Sequence, residues 1–332
     1  MEDLNYSISS PLYGRATCII KVMPLRLDHV LAWYGSDSDI ESVMDVYFTV
    51  GGIPRYLELI PIPSIESIKA CFFSKDSLLL REGKLFLKES FPSSLVIPKI
   101  LVAVVRGITE ATKIADAVQV KPSEISKYLG LLCDYGFIEK RFPVAGGGKK
   151  DVRFYPRDRF FAFWSRFIGP FYNEIESDVI LPAVSLFEQE FTTHHGYQFE
   201  STVLEIILDH PDFLGFTYTR AGRQWGRIHE KYKPEPGKNV YEIDICLLDD
   251  DNQQICVAEC KWKDNVDASK IIKNLVTKIK YIDWHGDQRL EFFAIFAKSF
   301  STKIHEFGGN DVKCIDLMDI NTFFRKSERI KT

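Results

Sequence analysis

A lone aspartate in one apolar strand and a Glu-x-Lys triplet in the next can hold a metal ion beside a phosphate ester. That set occurs here as Asp244 in VYEIDICLL and Glu259-Cys260-Lys261 in QICVAECKW. An unpaired charge in a core strand costs several kcal/mol, so these charges either face solvent or converge on something. Two carboxylates suit a hard divalent ion such as Mg²⁺, which keeps several of its waters. Asp244 and Glu259 are the expected ligands. Such an ion makes a bound water a better nucleophile and neutralises charge building on a phosphate. Lys261 beside it would orient that water or stabilise the developing oxyanion. A further carboxylate from a helix often completes the set. Glu200 in GYQFESTVLEIIL is the candidate, with Phe199, Val203 and Ile206 turned toward the core.

The elements that must position these groups are legible nearby. Both stretches alternate apolar and polar positions, and DDDN between them is a strong turn signal. With Leu248 facing Gln253, Glu259 stands opposite Glu242 and diagonal to Asp244, all on one face with Lys261. Ile243, Ile245 and Leu247 then share the other face with Ala258 and Cys260. A bulge or an odd loop would scatter the set. The adjacent His194-His195 are expected in a surface loop, pointing apart.

The chain has 332 residues, enough for two or three domains, and is 45% hydrophobic and 27% charged. A formal net charge of −4 leaves any basic surface to be local. No run of about 18 apolar residues would make a membrane span, and the N-terminus lacks the pattern of a signal peptide. The seven cysteines form no CxxC pair, which suggests reduced thiols in a cytoplasm and no structural zinc.

Three regions differ in character. Residues 1–88 read as mostly helical after a short extended start, broken by YFTVGGIPRYLELI, where Gly51, Gly52 and Pro54 punctuate the pattern. Residues 89–157 read as three helices and a Gly-rich ribbon. Ser123 is the expected N-cap of the third helix, and Ile125, Leu129 and Leu132 its core stripe. That order is a winged helix-turn-helix, with Lys127 on the third helix and Lys149, Lys150 and Arg153 on the wing as candidate nucleic-acid contacts. Twelve Lys/Arg face seven Asp/Glu between Lys99 and Arg159. A role as a protein–protein spacer is the alternative. Residues 158–332 open on FFAFWSRFIGPFY, either a stacking platform for bases or a hinge core, and continue as mixed α/β. Arg223 and Arg227, in AGRQWGR, would bind phosphate or pair with Asp249 to Asp251.

Glu200, Asp244 and Glu259-Cys260-Lys261 together resemble the PD-(D/E)xK nuclease superfamily, although Ile243 stands where a proline usually precedes the aspartate. The resemblance implies a restriction-endonuclease-like α/β domain with a central mixed sheet. The whole chain resembles the C-terminal part of archaeal-type P-loop ATPases (AAA+/STAND-like), through SPLYGR, GGIPRYL, FWSRF, AGRQWGR, EIDI and ECKWK. It implies a multidomain α+β protein: a helical ATPase-lid remnant, a winged helix-turn-helix and the nuclease-like domain. Arg15, Pro54 and Arg55 would be the nucleotide side of the lid. No GxxxxGK[ST] occurs, so no complete ATP site is expected, and the chain reads as a family member that starts late. Expected partners are nucleic acid, DNA first, and an ATPase domain or subunit in trans, with no membrane. The expected activity is Mg²⁺-dependent phosphodiester cleavage; the alternative is a non-catalytic nucleic-acid or protein-binding module.

Overall fold

The computed structural model describes residues 18, 20, 22–92, 94–146, 151–232 and 239–331. Arg15, Lys149 and Lys150 lie outside them. The described chain opens with helices α1 (Leu27–Tyr34), α2 (Ile40–Val50), α3 (Pro54–Leu59), α4 (Ile65–Phe72) and α5 (Leu78–Ser90). Asp39, Ser64 and Ser77 cap α2, α4 and α5 by accepting backbone N–H groups, donors that a helix start otherwise leaves open. The GGIP stretch is a turn with a steric reason. Gly51 has φ +67, and a Cβ on Gly52 would stand 1.8 Å from the Leu25 carbonyl oxygen. Pro54 then opens α3, where a missing N–H costs nothing.

Helices α6 (Val96–Val105), α7 (Ala111–Val118) and α8 (Pro122–Asp134) follow, then an antiparallel ribbon of β1 (Ile138–Arg141) and β2 (Arg153–Pro156). Ile125, Leu129 and Leu132 are buried, as their spacing predicts. The start of α8 differs from expectation. Lys121 holds the N-cap position and Pro122 the first turn, because the fixed φ of proline suits that turn; Ser123 is inside the helix.

The aromatic run forms α9 (Arg159–Phe163) and one π-helical turn, Trp164–Ile168, ahead of α10 (Tyr172–Glu176) and α11 (Leu181–Asp209). Its rings are buried and point three ways. Phe160 meets Tyr56 and Phe72, Phe161 meets Phe137, and Phe163 meets Phe187 and His194, at centroid distances of 4.5 to 6.1 Å. With its rings packed on one another in this way, the run forms part of the core. One cluster of buried side chains runs from Leu27 to Phe324 through all three regions.

The last region adds β3 (Arg220–Arg227), β4 (Val240–Asp249), β5 (Gln254–Lys261), β6 (Val266–Asp267), α12 (Ala268–Ile279), β7 (Leu290–Ala297), β8 (Phe300–Thr302), β9 (Glu306–Phe307), β10 (Asn310–Ile315) and α13 (Leu317–Lys331). The main sheet is mixed and runs β3-β4-β5-β7-β10-β9. β3, β4 and β5 are antiparallel neighbours, whereas β5, β7 and β10 are parallel. Ile245, Leu247, Cys256, Ala258 and Cys260 belong to the cluster that includes Phe199 and Val203 of α11. Cys246, Leu248, Ile255 and Val257 join Ile272, Leu275 and Ile279 of α12 in a second cluster. The sheet is thus covered on both faces, as a mixed α/β layer requires.

Candidate functional site

Two local features of the β4–β5 hairpin build the site. Asp249 accepts N–H groups from Asp251 and Asn252 at 3.1 Å, so the strand runs one residue further than expected before turning. Asp249 pairs with Gln254 and Leu248 with Ile255. The expected pairing is therefore corrected by two residues, which keeps the faces but brings Glu259 level with Asp244 instead of Glu242. The second feature is a bulge. Pairing with β3 passes from Gly222↔Cys246 to Gln224↔Ile243, so β4 carries an extra residue there. The recorded β4–β5 ladder ends at Ile245↔Ala258. The Asp244 carboxylate, in place of a ladder carbonyl, accepts the Cys260 N–H at 2.8 Å. The same bulge moves Ile243 to the α12 side with Cys246 and Leu248, away from Ile245 and Leu247. A bulge therefore assembles the charges where scatter was the sequence-level expectation.

Around Asp244 the charges pair. Glu259 receives Lys261 Nζ at 2.6 Å on one oxygen and Lys278 Nζ of α12 at 3.0 Å on the other. Glu200, the residue after Phe199 on α11, holds Arg223 of β3 at 2.5 Å. Burial pushes Asp244 up to about 8, and the nearby charges of Glu200 and Glu259 push the same way. Burial also raises Glu200, against the pull of Arg223. Glu259 goes down: burial opposes this, but Lys278 and Lys261 together outweigh it. Lys261 is held above its ordinary range because Glu259 outweighs the cost of its burial.

Asp244, Glu200, Arg223, Glu242 and Lys278 line a cleft of about 300 Å³. Tyr155 and Pro156 of β2 wall one side, and Tyr197 and Ser201 of α11 another. The ribbon is fastened there. Arg153 pairs with Glu242 at 3.1 Å and lies over the Trp225 ring, while the Tyr155 hydroxyl donates to Glu242 at 3.4 Å.

The four residues expected to carry chemistry, Asp244, Glu259, Lys261 and Glu200, come together. The expected nucleic-acid contacts do not form one surface among the described residues. Lys127 is exposed on α8, Arg227 is exposed at the end of β3, and Arg153 and Arg223 are engaged as above. The Asp249–Asp251 cluster pairs with Arg220, through Asp250 at 2.5 Å. Pro54 opens α3 and exposed Arg55 pairs with Glu58 at 3.2 Å. His194 and His195 are not on a surface loop: both are buried in α11, because that helix runs unbroken through them and sinks its stripe into the aromatic core. Glu242 was expected on this face though given no role; Lys278, Tyr155 and Tyr197 were not anticipated. Lys278 borders the α12 core stripe at Ile279 and Leu275, but nothing in its spacing separates it from Lys270 or Lys273.

Among the described residues no group of three or more His, Cys, Asp or Glu side chains is arranged to close around a metal ion. The oxygen donors on offer are the pair Asp244 and Glu259. The cysteines are all free thiols, and no described helix is long and apolar enough to cross a membrane.

Comparison with known proteins bears on the same stretch. Residues 164–272, which include Glu200, Asp244, Glu259 and Lys261, match a family described as archaeal and bacterial proteins of unknown function, DUF234. An uncharacterized protein of Methanocaldococcus jannaschii is 29% identical over 308 residues, covering 91% of this chain and 66% of that protein. The chain therefore spans just under two thirds of the length of that relative.

Proposed function

We propose that this chain is a nucleic-acid-associated protein, with DNA as its expected partner, whose carboxylate–lysine cluster hydrolyses phosphodiesters with Mg²⁺. The observation that carries the reading is the convergence of Asp244, Glu259, Glu200 and Lys261 from three elements onto one bulged strand end. On this reading the sheet with α11 and α12 is a PD-(D/E)xK nuclease-like domain of residues 158–332. The three helices and ribbon of 89–157 are a winged helix-turn-helix, and the helices of 1–88 are lid-like.

The donors present fit a hard cation. They are oxygens only, and two carboxylates suffice for Mg²⁺ when waters and substrate complete its shell. Burial, with the charges of Glu200 and Glu259 adding to it, pushes Asp244 toward its neutral form, which a cation would reverse. When bound, the ion would lower the pKa of a bound water and offset charge on the phosphate. Asp244 and Glu259 would hold it. Glu200, kept in place by Arg223, adds negative charge on the α11 side. Lys261, relieved of Glu259, would turn its ammonium to the attacking water or to the oxyanion.

A second reading rests on a specific observation: Glu259 and Glu200 each already have cationic partners at 2.5 to 3.0 Å. Such internal neutralisation suits a non-catalytic binding module. Plasmid and single-stranded DNA incubated with Mg²⁺ or Mn²⁺ separate the two. Metal-dependent cleavage by the wild type, lost in both Asp244→Ala and Lys261→Ala, supports the hydrolase. DNA binding by all three proteins without cleavage by any would replace it with the binding module.

A further inference from the structure

The geometry points to one nucleotide unit of an unpaired nucleic-acid strand as the ligand of the cleft over Asp244. This deepens the phosphodiester reading of the site and rests on it. At about 300 Å³ the cleft lies at the small end of pockets that enclose a ligand. Two cations line it, Arg223 and Lys278, each paired with a carboxylate (Glu200 and Glu259) that a strand phosphate would replace. Tyr197 supplies the aromatic face, while the buried Tyr155 ring, covered by Arg141 and Arg223, is a wall. Cations that meet phosphate and aromatic faces that accept any base are the two halves of single-strand recognition. Tyr197 is 43% exposed, free to offer a face to a base. Its hydroxyl passes over Gly107, where a Cβ would stand only 3.1 Å away.

The ribbon excludes paired strands. Gln224 of edge strand β3 receives the Ala145 N–H at 2.8 Å and donates to the Ala145 carbonyl at 3.2 Å. Trp225 Nε1 donates to the Asp151 carbonyl at 3.1 Å, and Glu242 holds both Arg153 and Tyr155. β2 is thereby clamped along the sheet edge next to Asp244. A duplex is a stiff rod whose major groove is only about 12 Å wide, and bringing one of its phosphates to Asp244 would require displacing the ribbon. An unpaired strand needs only to insert a single nucleotide.

The test measures binding in EDTA, so it does not depend on turnover. Fluorescence anisotropy compares a labelled single-stranded oligonucleotide with the blunt duplex of the same sequence. The single strand is expected to bind about tenfold tighter or more. Tyr197→Ala, on an exposed helix face, should weaken it about fivefold or more, the loss of one stacked base. Lys278→Gln should lower the slope of log affinity against log salt by about 0.7, one phosphate contact on a single strand, and Lys278→Arg should restore it. Duplex binding as tight as single-strand binding, or single-strand binding indifferent to both substitutions, overturns the inference. Displacement of the strand by a nucleoside monophosphate at equal concentration would keep the nucleotide pocket and overturn the strand as its source. Absence of cleavage in the plasmid assay, with this pattern of binding intact, removes the hydrolase reading alone.

Discussion

Asp45 of α2 and His195 of α11 meet at 3.2 Å inside the aromatic core. His195 Nδ1 donates to the Phe191 carbonyl at 3.0 Å, which leaves Nε2 as an acceptor facing the Asp45 carboxyl. Burial pushes Asp45 up to about 7, and burial pulls His195 down to about 3. Both shifts favour a buried neutral pair, Asp45 protonated and His195 uncharged. The sign for stability follows from linkage. With the folded pKa above the unfolded value, Asp45 contributes its full stability below about pH 4 and loses it as pH rises toward about 7. Asp45→Asn keeps the shape of the side chain and has nothing to ionise. Its stability relative to wild type should therefore grow across that window, by on the order of 4 kcal/mol. His195 gives both proteins the opposite slope below about pH 6.5, and this cancels in the difference. Urea denaturation at a series of pH values checks it; a pH-independent difference would place an ionised Asp45 in the core.

At the scale of elements, the ribbon is held to the sheet by side chains more than by a continuous ladder. Gln224, 1% exposed, serves both the N–H and the carbonyl of Ala145 and also donates to the Tyr241 hydroxyl at 3.0 Å. Gln224→Ala leaves those buried groups unpartnered, at a cost of about 1–3 kcal/mol. Hydrogen exchange at Ala145 should then speed up by about tenfold or more, while amides of β5 and β7 keep their protection. Unchanged exchange at Ala145 would mean that Trp225 and Glu242 suffice to hold the ribbon. The bulge in β4 is the other decisive element, because it turns a ladder position into the place where Asp244 meets Cys260.

On the whole-molecule scale, the aromatic run makes the three regions share one core. Phe163, fully buried, touches Phe72 of α4, Phe187 of α11 and the His194 ring at 4.7 to 6.0 Å. Phe163→Ala should cost about 3–5 kcal/mol through lost burial and the cavity left behind. Tryptophan fluorescence and far-UV circular dichroism should report the loss as one shifted, coincident transition. Separation of the two probes into distinct transitions would show instead that the regions unfold independently. Trp262 extends the same connection to the site, since it follows Lys261 and packs on Phe48, His195 and Phe199.

The sequence by itself determined the elements and the chemistry they could carry. Alternation and the DDDN turn marked the hairpin, the spacing of Ile125, Leu129 and Leu132 marked α8, and the charges of Glu200, Asp244, Glu259 and Lys261 stood out against apolar strands. These are local patterns, and a period of two or of 3.6 residues is written in neighbouring positions. Tertiary structure decided the rest. A capped turn shifted the pairing by two residues, and contact with edge strand β3 accompanied the bulge at Asp244. The depth of α11 in the aromatic core turned His194 and His195 inward. Lys278 reached Glu259 from α12, packed on the sheet face opposite α11. Each of these depends on which distant segment lies alongside, and no local period encodes that.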